Sequence, residues 1–579
     1  MSPRDTIQTH DRWGEATAFL EEFRRRGWFD LLLLGGFVGV VFGLISLAGE
    51  WRTLRPAVHI DLAPSALPLY VFYSLCRGLF AYVLSLAFTL SYGYWAAKDE
   101  VAQRVLVPLL DILQSIPVLG FMPGLVLALV ALFPRSNIGL ELACVLMIFS
   151  GQAWNMTFSF YHSLRSIPKD QLEAATTYRF DWWQRLRWVE LPFSTIGLVW
   201  NSMMSMAGGW FFLMITESFV LGSRDFRLPG IGSYMSVAVA SGNVPAMLWA
   251  IFAMVMMIVV LDQLLWRPVV VWSQKFRVEE GADEETASSW FYDWIRRSML
   301  IDWIESFFRK LPGFRNEPRR APAAASGRDT RSPHLSIAMF AMLMLVLLFG
   351  AWRLFDLLRQ LPVRQYLPIL SSAGWTLGRV LLSTALGTLW TLPAGLAIGL
   401  NPRLSRIFQP IVQVAASFPA PMLFPLVIAG LKAAGVTLGW GSVVLMLLGT
   451  QWYILFNVIA GASAMPSDLR EAARSYRLDL RQRFTSLYLP AVFPYLVTGW
   501  VTAAGGAWNA SIVAEYVTFK SEVLTANGLG ARISAAAEQG DFPQLAASVT
   551  VMAAVVVLFN RTVWKRLYQI AEERFSLSK

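Results

Sequence analysis

Apolar residues run along this chain in blocks of about 20 or more, the length a helix needs to cross the hydrocarbon core of a bilayer. Short polar gaps separate them. In the first half the blocks lie near 30–49, 68–97, 104–133, 138–161, 192–221 and 244–272. In the second half they lie near 335–355, 366–400, 407–431, 438–463, 490–514 and 543–566. The pattern predicts an all-α membrane protein of about twelve transmembrane helices in two six-helix halves. Several blocks exceed one crossing and contain Pro or Gly, so kinks or re-entrant pieces are expected.

The polar gaps set the expected orientation. Arg24, Arg25 and Arg26 precede the first block, and basic residues are retained on the cytoplasmic side. Counting crossings from a cytoplasmic N-terminus places 162–191, 273–334, 464–489 and the C-terminal tail inside, and each is rich in Arg and Lys. The outer segments 222–243 and 515–542 are poorer in basic residues. No small-residue cleavage site follows the first block, so it reads as a retained anchor. The expected organisation is a cytoplasmic segment 1–29, a first unit 30–272, a cytoplasmic segment 273–334, a second unit 335–567 and a cytoplasmic tail 568–579. Within 273–334, residues 289–311 carry Trp290, Trp294, Leu300, Trp303 and Phe307 among charges. They read either as an interfacial amphipathic helix or as a helix packed on its own protein. Residues 312–334 are rich in Pro, Ala, Ser and Arg and read as a linker.

Composition strengthens the membrane reading. Hydrophobic residues make up 55% of the chain and charged ones 15%, against about 25% charged in soluble proteins. The net charge of +10 is spread through the polar gaps, which argues against a nucleic-acid face. Cys76 and Cys144 lie in apolar blocks and the four His are scattered, so neither a disulfide framework nor a metal site is expected.

The two halves repeat one another. An offset of 298 residues aligns Trp154 with Trp452, Pro168 with Pro466, Asp170 with Asp468, and Glu173-Ala174-Ala175 with Glu471-Ala472-Ala473. It continues through Tyr178-Arg179 and Tyr476-Arg477, Asp181 and Asp479, Leu191-Pro192 and Leu489-Pro490. It also aligns Trp210 with Trp508, Glu217 with Glu515, Gly230 and Gly232 with Gly528 and Gly530, and Trp266 with Trp564. Upstream an offset of 302 matches Arg77 with Arg379, Pro117 with Pro419 and Pro123 with Pro425. An even number of spans between equivalent points makes these parallel repeats, with a pathway expected at their interface.

Between the fourth and fifth blocks of each half lies a polar segment, SIPKDQLEAATTYRFDWWQRLRWVELP in the first and AMPSDLREAARSYRLDLRQRFTSLYLP in the second. Pro168 and Pro466 suit a helix start, and Asp170 and Asp468 place negative charge at the positive end of the helix dipole. Glu-Ala-Ala favours helix and offers small side chains to a close partner. A break near Asp181 and Asp479 and a second short amphipathic piece should follow. A helix held across the inner face between two spans would tilt those spans when displaced.

Glu-Ala-Ala followed by Leu-Pro eighteen residues after the Glu resembles the EAA loop of type I ABC importer permeases. The wider chain is similar to the nitrate/sulfonate/taurine/bicarbonate branch. The likeness rests on SLCRGLF and TLGRVLL around Arg77 and Arg379, IPVLGFMP and FPAPMLFP, the turns at Gly230 and Gly528, and VVLDQLLWRP. It covers about 70–270 and 370–565. The resemblance implies that 165–190 and 463–488 dock into grooves on a cytoplasmic ATPase. Glu173, Ala174, Ala175, Arg179 and Asp181, with Glu471, Ala472, Ala473, Arg477 and Asp479, would form the contact. It implies two ATPase copies, which would hold the ATP and Mg, and an extracytoplasmic solute-binding protein; no cofactor is expected on this chain. The absence of any Gly-Lys dipeptide excludes a P-loop here. One departure stands out. Where the family has Gly six residues after the Glu, this chain has Arg179 and Arg477, and a bulky residue disfavours positive φ. The turn is therefore expected to differ.

Ionisable groups at membrane depth face protein or water; here these are Arg77, Arg379, Asp111, Glu141, Glu217 and Glu515. Glu217 and Glu515, with Trp210 and Trp508, either line a pathway or pair with Arg77 and Arg379 to fix helix packing. The expected function is an ATP-driven importer permease in the cytoplasmic membrane, not itself an enzyme, moving a small solute such as an anion of the nitrate, sulfonate or bicarbonate type. The alternative is a twelve-span secondary transporter. A membrane enzyme finds no supporting residue constellation.

Overall fold

The computed structural model describes residues 58–115, 117–221, 224–276, 289–295, 333–519 and 522–575. The expected first span, the segment 1–29 and most of 273–334 lie outside the described residues. The first half contains α1 (Pro64–Lys98), α2 (Glu100–Ser115), α3 (Met122–Leu132), α4 (Ile138–Arg165), α5 (Lys169–Thr177), α6 (Trp182–Thr216), α7 (Ile231–Ala240) and α8 (Val244–Phe276). After the short α9 (Trp290–Ile295) and α10 (Pro333–Arg359), the second half repeats the order. Its helices are α11 (Val363–Leu400), α12 (Pro402–Ser417), α13 (Phe424–Ala433), α14 (Leu438–Ser463), α15 (Ser467–Ser475), α16 (Leu480–Ala514), α17 (Leu529–Gln539) and α18 (Phe542–Phe575).

Among the described residues, eight helices are long and apolar enough to cross a membrane: α1, α4, α6 and α8, and their counterparts α11, α14, α16 and α18. Their outward faces keep large apolar side chains uncovered, such as Phe80 and Val83 on α1 and Leu248 and Phe252 on α8. An aqueous surface would not tolerate such continuous patches, whereas lipid requires them.

Two expected spans are not single crossings. The block 104–133 divides into α2, a 3-10 turn at Val118–Phe121 and α3, and 407–431 divides into α12, a turn at Ala420–Met422 and α13. The breaks fall at Pro117 and Pro419, whose rings lack the amide a continuing helix would use; Phe418, ahead of Pro419, is extended (ψ 128°). Non-helical backbone at membrane depth needs protein cover, and the other half supplies it. The 118–121 turn packs on α16, the 420–422 turn packs on α6, and the Val118 amide donates to Asn509 Oδ1 at 2.8 Å. The reciprocity is that of a two-fold repeat.

The fold also contains strands that the apolar pattern did not reveal. After α6 comes a hairpin of β1 (Ser218–Leu221) and β2 (Arg224–Arg227), and after α16 one of β3 (Tyr516–Phe519) and β4 (Glu522–Thr525), both antiparallel. At four residues each they carry too little alternation to register as strands.

A wide turn with π-type bonding occurs at Leu186–Glu190 in α6 and at Phe484–Tyr488 in α16. Both immediately precede Leu-Pro. Pro192 and Pro490 cannot donate to the carbonyl four residues back, and the widened turn accommodates the ring without breaking the helix. The polar segment therefore connects rigidly to the span behind it. Similar turns occupy Asp262–Trp266 in α8 and Asn560–Trp564 in α18.

Candidate functional site

Each half carries the same device between its two central spans. Pro168 and Pro466 are extended (φ −55°, ψ 139°) and stand just ahead of the helix as N-caps, with Asp170 and Asp468 in the first turn. In α5, Glu173 and Ala174 are exposed while Ala175 is buried; in α15, Glu471 and Ala472 are exposed while Ala473 is buried. The motif thus turns one small residue inward and offers the other two outward.

Both helices end in a Schellman turn. Arg179 N donates to Thr176 O (3.0 Å) and Phe180 N to Ala175 O (2.9 Å). Arg477 N donates to Arg474 O (3.0 Å) and Leu478 N to Ala473 O (3.1 Å). Arg179 and Arg477 adopt φ of 54° and 49° and are the only non-glycine residues with positive φ among those described. The expectation that arginine would change the turn is therefore corrected: the turn is kept, and arginine is held in the left-handed conformation at a cost of about 1–2 kcal/mol. Two carbonyls satisfied by the Schellman bonds, and the cap that follows, offset that strain. Asp181 Oδ1 accepts from Gln184 N (2.7 Å) while Asp181 N donates to Gln184 Oε1 (3.0 Å), a capping box. Asp479 and Gln482 repeat it at 2.6 and 3.0 Å. Helix, turn and span are thereby joined at a fixed angle. Arg179→Gly or Arg477→Gly should preserve this geometry and stabilise it by about 1 kcal/mol, read as a roughly fivefold rise in hydrogen-exchange protection of the Phe180 or Leu478 amide.

At the other end of α6 a buried charge cluster ties four helices together. Arg77 on α1 donates to both oxygens of Glu141 on α4 (Nε 2.6 Å, Nη2 2.7 Å). Through Nη1 it also reaches Glu217 Oε1 (2.8 Å) and Pro229 O (2.7 Å). Glu217 follows the last residue of α6. It accepts in addition from Ser74 Oγ (2.6 Å) and from Gly232 N (2.7 Å) at the start of α7, where the helix dipole favours a carboxylate. In the second half Arg379 Nη1 meets Glu515 Oε1 (2.7 Å) and Asn527 O (2.8 Å). Thr376 and Gly530 N complete the Glu515 shell. Arg379 Nε, however, donates to Gly439 O (3.0 Å), because Gly439 stands where the first half has Glu141. The first cluster has two carboxylates on one guanidinium and the second has one. Both Glu217 and Glu515 are fully buried and turned into these clusters.

The seam between the halves holds the other tryptophan of interest. Trp210, buried, lies against Gly78 and lines a narrow cleft with Met203, Met206, Asp262, Trp266 and Gln413. Asp262, at the first residue of the widened turn in α8, accepts from Gln413 Nε2 of α12 at 2.8 Å, a polar bond across the seam that apolar periodicity could not foretell. Trp508 is also buried, on α16. Sequence repetition carried one clue to this seam. The position equivalent to Asp262 is Asn560 and that equivalent to Gln413 is Asp111, so acid and amide exchange places between the halves. Among the described residues no His, Cys, Asp and Glu gather as a metal site would require.

Comparison with known proteins agrees with this architecture. The family model for the binding-protein-dependent transport system inner membrane component matches residues 89–265 and again 387–576, one copy in each half. The chain is 28% identical over 148 residues to the nitrate import permease protein NrtB of Leptolyngbya laminosa, covering 25% of this chain and 52% of that protein. It is 26% identical over 188 residues to the bicarbonate transport system permease protein CmpB of a Synechocystis species, covering 32% and 64%. It is 24% identical over 195 residues to the taurine transport system permease protein TauC of Escherichia coli, covering 33% and 67%. The chain thus spans about half to two thirds of the length of these relatives. The matched regions exceed half of the chain, and they coincide with the duplicated span-loop-span units built above; this multi-pass membrane protein belongs to the family of binding-protein-dependent transport system inner membrane components, with two copies of the family unit in one polypeptide.

Proposed function

We propose that this chain is the transmembrane permease component of an ATP-driven importer, its two units (30–272 and 335–567) taking the place of two permease subunits. The loops 165–190 and 463–488 face the cytoplasm, together with both chain termini, and each docks on one copy of a separate ATPase subunit, where ATP and Mg are bound. An extracytoplasmic binding protein delivers the solute to the opposite face. The observation that carries this reading is the twin rigid joint: helix, Schellman turn, capping box and uninterrupted span occur in both halves with the same bonds. A push on either short helix is transmitted to α6 or α16 without a flexible hinge, and these two helices flank the seam. The relatives' substrates support a small anion of the nitrate, sulfonate or bicarbonate type as cargo.

Coexpression with ATPase and binding-protein subunits encoded nearby tests the assignment. Two ATPase copies should copurify with the chain. Changing Glu173→Arg together with Glu471→Arg should remove them while the permease remains in the membrane, and ATP-dependent uptake should fall to background. Full uptake by the double variant would refute a coupling role for the loops. Labelling of cysteines placed at Thr177 and Ser475, in a background lacking Cys76 and Cys144, should require access from the cytoplasmic side.

A further inference from the structure

The two loops share a backbone but not a surface. At equivalent positions Leu172, Thr176 and Trp183 of the first are replaced by Arg470, Arg474 and Arg481 in the second. Residues 166–190 contain four basic and four acidic side chains, whereas 464–488 contain five and three, a net charge of zero against +2. Arg470 and Arg474 are four residues apart on α15 and share a face of that helix. Arg474 and Arg481 are exposed. The first loop exposes five aromatic rings, Tyr178, Phe180, Trp182, Trp183 and Trp188, where the second exposes Tyr476 and Phe484.

The anchors differ too. Glu190, fully buried, pairs with Lys98 (2.6 Å) and Arg185 (3.0 Å), and Trp182 Nε1 donates to Tyr94 Oη (2.7 Å), so charge and hydrogen bonds bind the first loop to the end of α1. In the second half the corresponding positions are Leu396, Leu400 and Tyr488, packed in one apolar cluster. The buried Glu190 ties Lys98 and Arg185 into the first loop's anchor, whereas the second loop has no such ion pair among the described residues and leaves Arg474 and Arg481 exposed.

We propose that the loops are two non-interchangeable docking surfaces. The segment 464–488 takes an ATPase groove lined with carboxylates that meet Arg470, Arg474 and Arg481. The segment 166–190 takes an apolar groove that accepts aromatic rings. This rests on the importer reading above and makes the two ATPases of that reading different subunits rather than identical copies. Its physical consequence is an unequal response to salt. Screening shortens the Debye length from about 10 Å at 0.1 M to about 3 Å at 1 M and weakens exposed ion pairs, while apolar burial is not weakened.

The test uses the purified complex of the full chain with its ATPase subunits, weighed by native mass spectrometry after equilibration in rising KCl between about 0.1 and 1 M. The expected series is two ATPases per chain, then one, with the survivor crosslinking to a cysteine at Thr177 and not at Ser475. A variant carrying Arg470→Leu, Arg474→Thr and Arg481→Trp, the residue types of the first loop, should hold only one ATPase already at the lowest salt, because the carboxylate-lined groove has lost its counterions. Release of both subunits at one salt concentration overturns the proposal, as does an unchanged series in the variant. Should the variant lose only its binding to phosphatidylglycerol vesicles, the arginines serve lipid headgroups and the proposal fails. Absence of any ATPase at the lowest salt overturns the importer reading itself, which separates the two failures.

Discussion

Arg77→Met should unfold this protein's first half more severely than Arg379→Met unfolds the second. Removing one partner of a buried ion pair costs about 3–5 kcal/mol, because a charge is left without its counterion. Arg77 serves two buried carboxylates, Glu141 and Glu217, through three short bonds; Glu217 would keep Ser74 and the Gly232 amide as donors, but Glu141 would lose its counterion as well. Arg379 serves one, Glu515, which keeps Thr376 and the Gly530 amide as donors. Each variant, solubilised in detergent, can be heated and its surviving monodisperse fraction measured. The Arg77 variant should show the lower midpoint. Adding Glu141→Gln to Arg77→Met removes one of the two stranded charges and should recover part of the loss. Equal midpoints for the two single variants would contradict the cluster geometry.

Gly528→Ala and Gly230→Ala should each open the same clusters from the other side. A Cβ at Gly528 would stand 2.1 Å from Glu515 Oε2, and one at Gly230 would stand 2.3 Å from the Glu217 carboxylate. Neither glycine requires its freedom in φ, since both are extended, at −173° and 178°. What they provide is space for a carboxylate to lie against the start of α17 or α7. The carboxylates cannot yield cheaply, being held by arginine, a hydroxyl and a backbone amide. Overpacking typically costs about 1–3 kcal/mol, and displacing a buried ion pair adds to that. The expected result is loss of thermal stability, accompanied by increased protease cleavage in the hairpins 218–227 and 516–525. An alanine variant as stable as the parent would mean that the carboxylates are not seated where the structure places them.

Much of this molecule could be read from its linear pattern. Apolar block length selects spans because a bilayer imposes one thickness on every crossing. Repetition at a fixed offset declares a two-unit architecture, since matched Trp, Pro, Gly and Glu at the same separations build matched local structure. The polar Glu-Ala-Ala segments, with their prolines and aspartates, were equally legible, because caps and helix starts depend on neighbours within a few residues. At Arg179 and Arg477 local reasoning erred. Propensity disfavours arginine at positive φ, but the Schellman bonds and the adjoining cap over-determine that conformation.

Other features were settled only when distant segments met. Arg77 lies 64 residues from Glu141 and 140 from Glu217, and no periodicity selects that triad over others available to the same residue types. Gly439 in the place of Glu141 reads as an ordinary helix residue until its carbonyl is seen to receive Arg379. The bonds from Gln413 to Asp262 and from Val118 to Asn509 join opposite halves, and the broken spans persist only because the other half covers their exposed backbone. Local sequence decides where the chain becomes a helix, turns or enters lipid, since those energies arise between near neighbours. Which buried charge finds which partner depends on three-dimensional packing, since an ion at membrane depth is stable only beside the one group that folding brings to it.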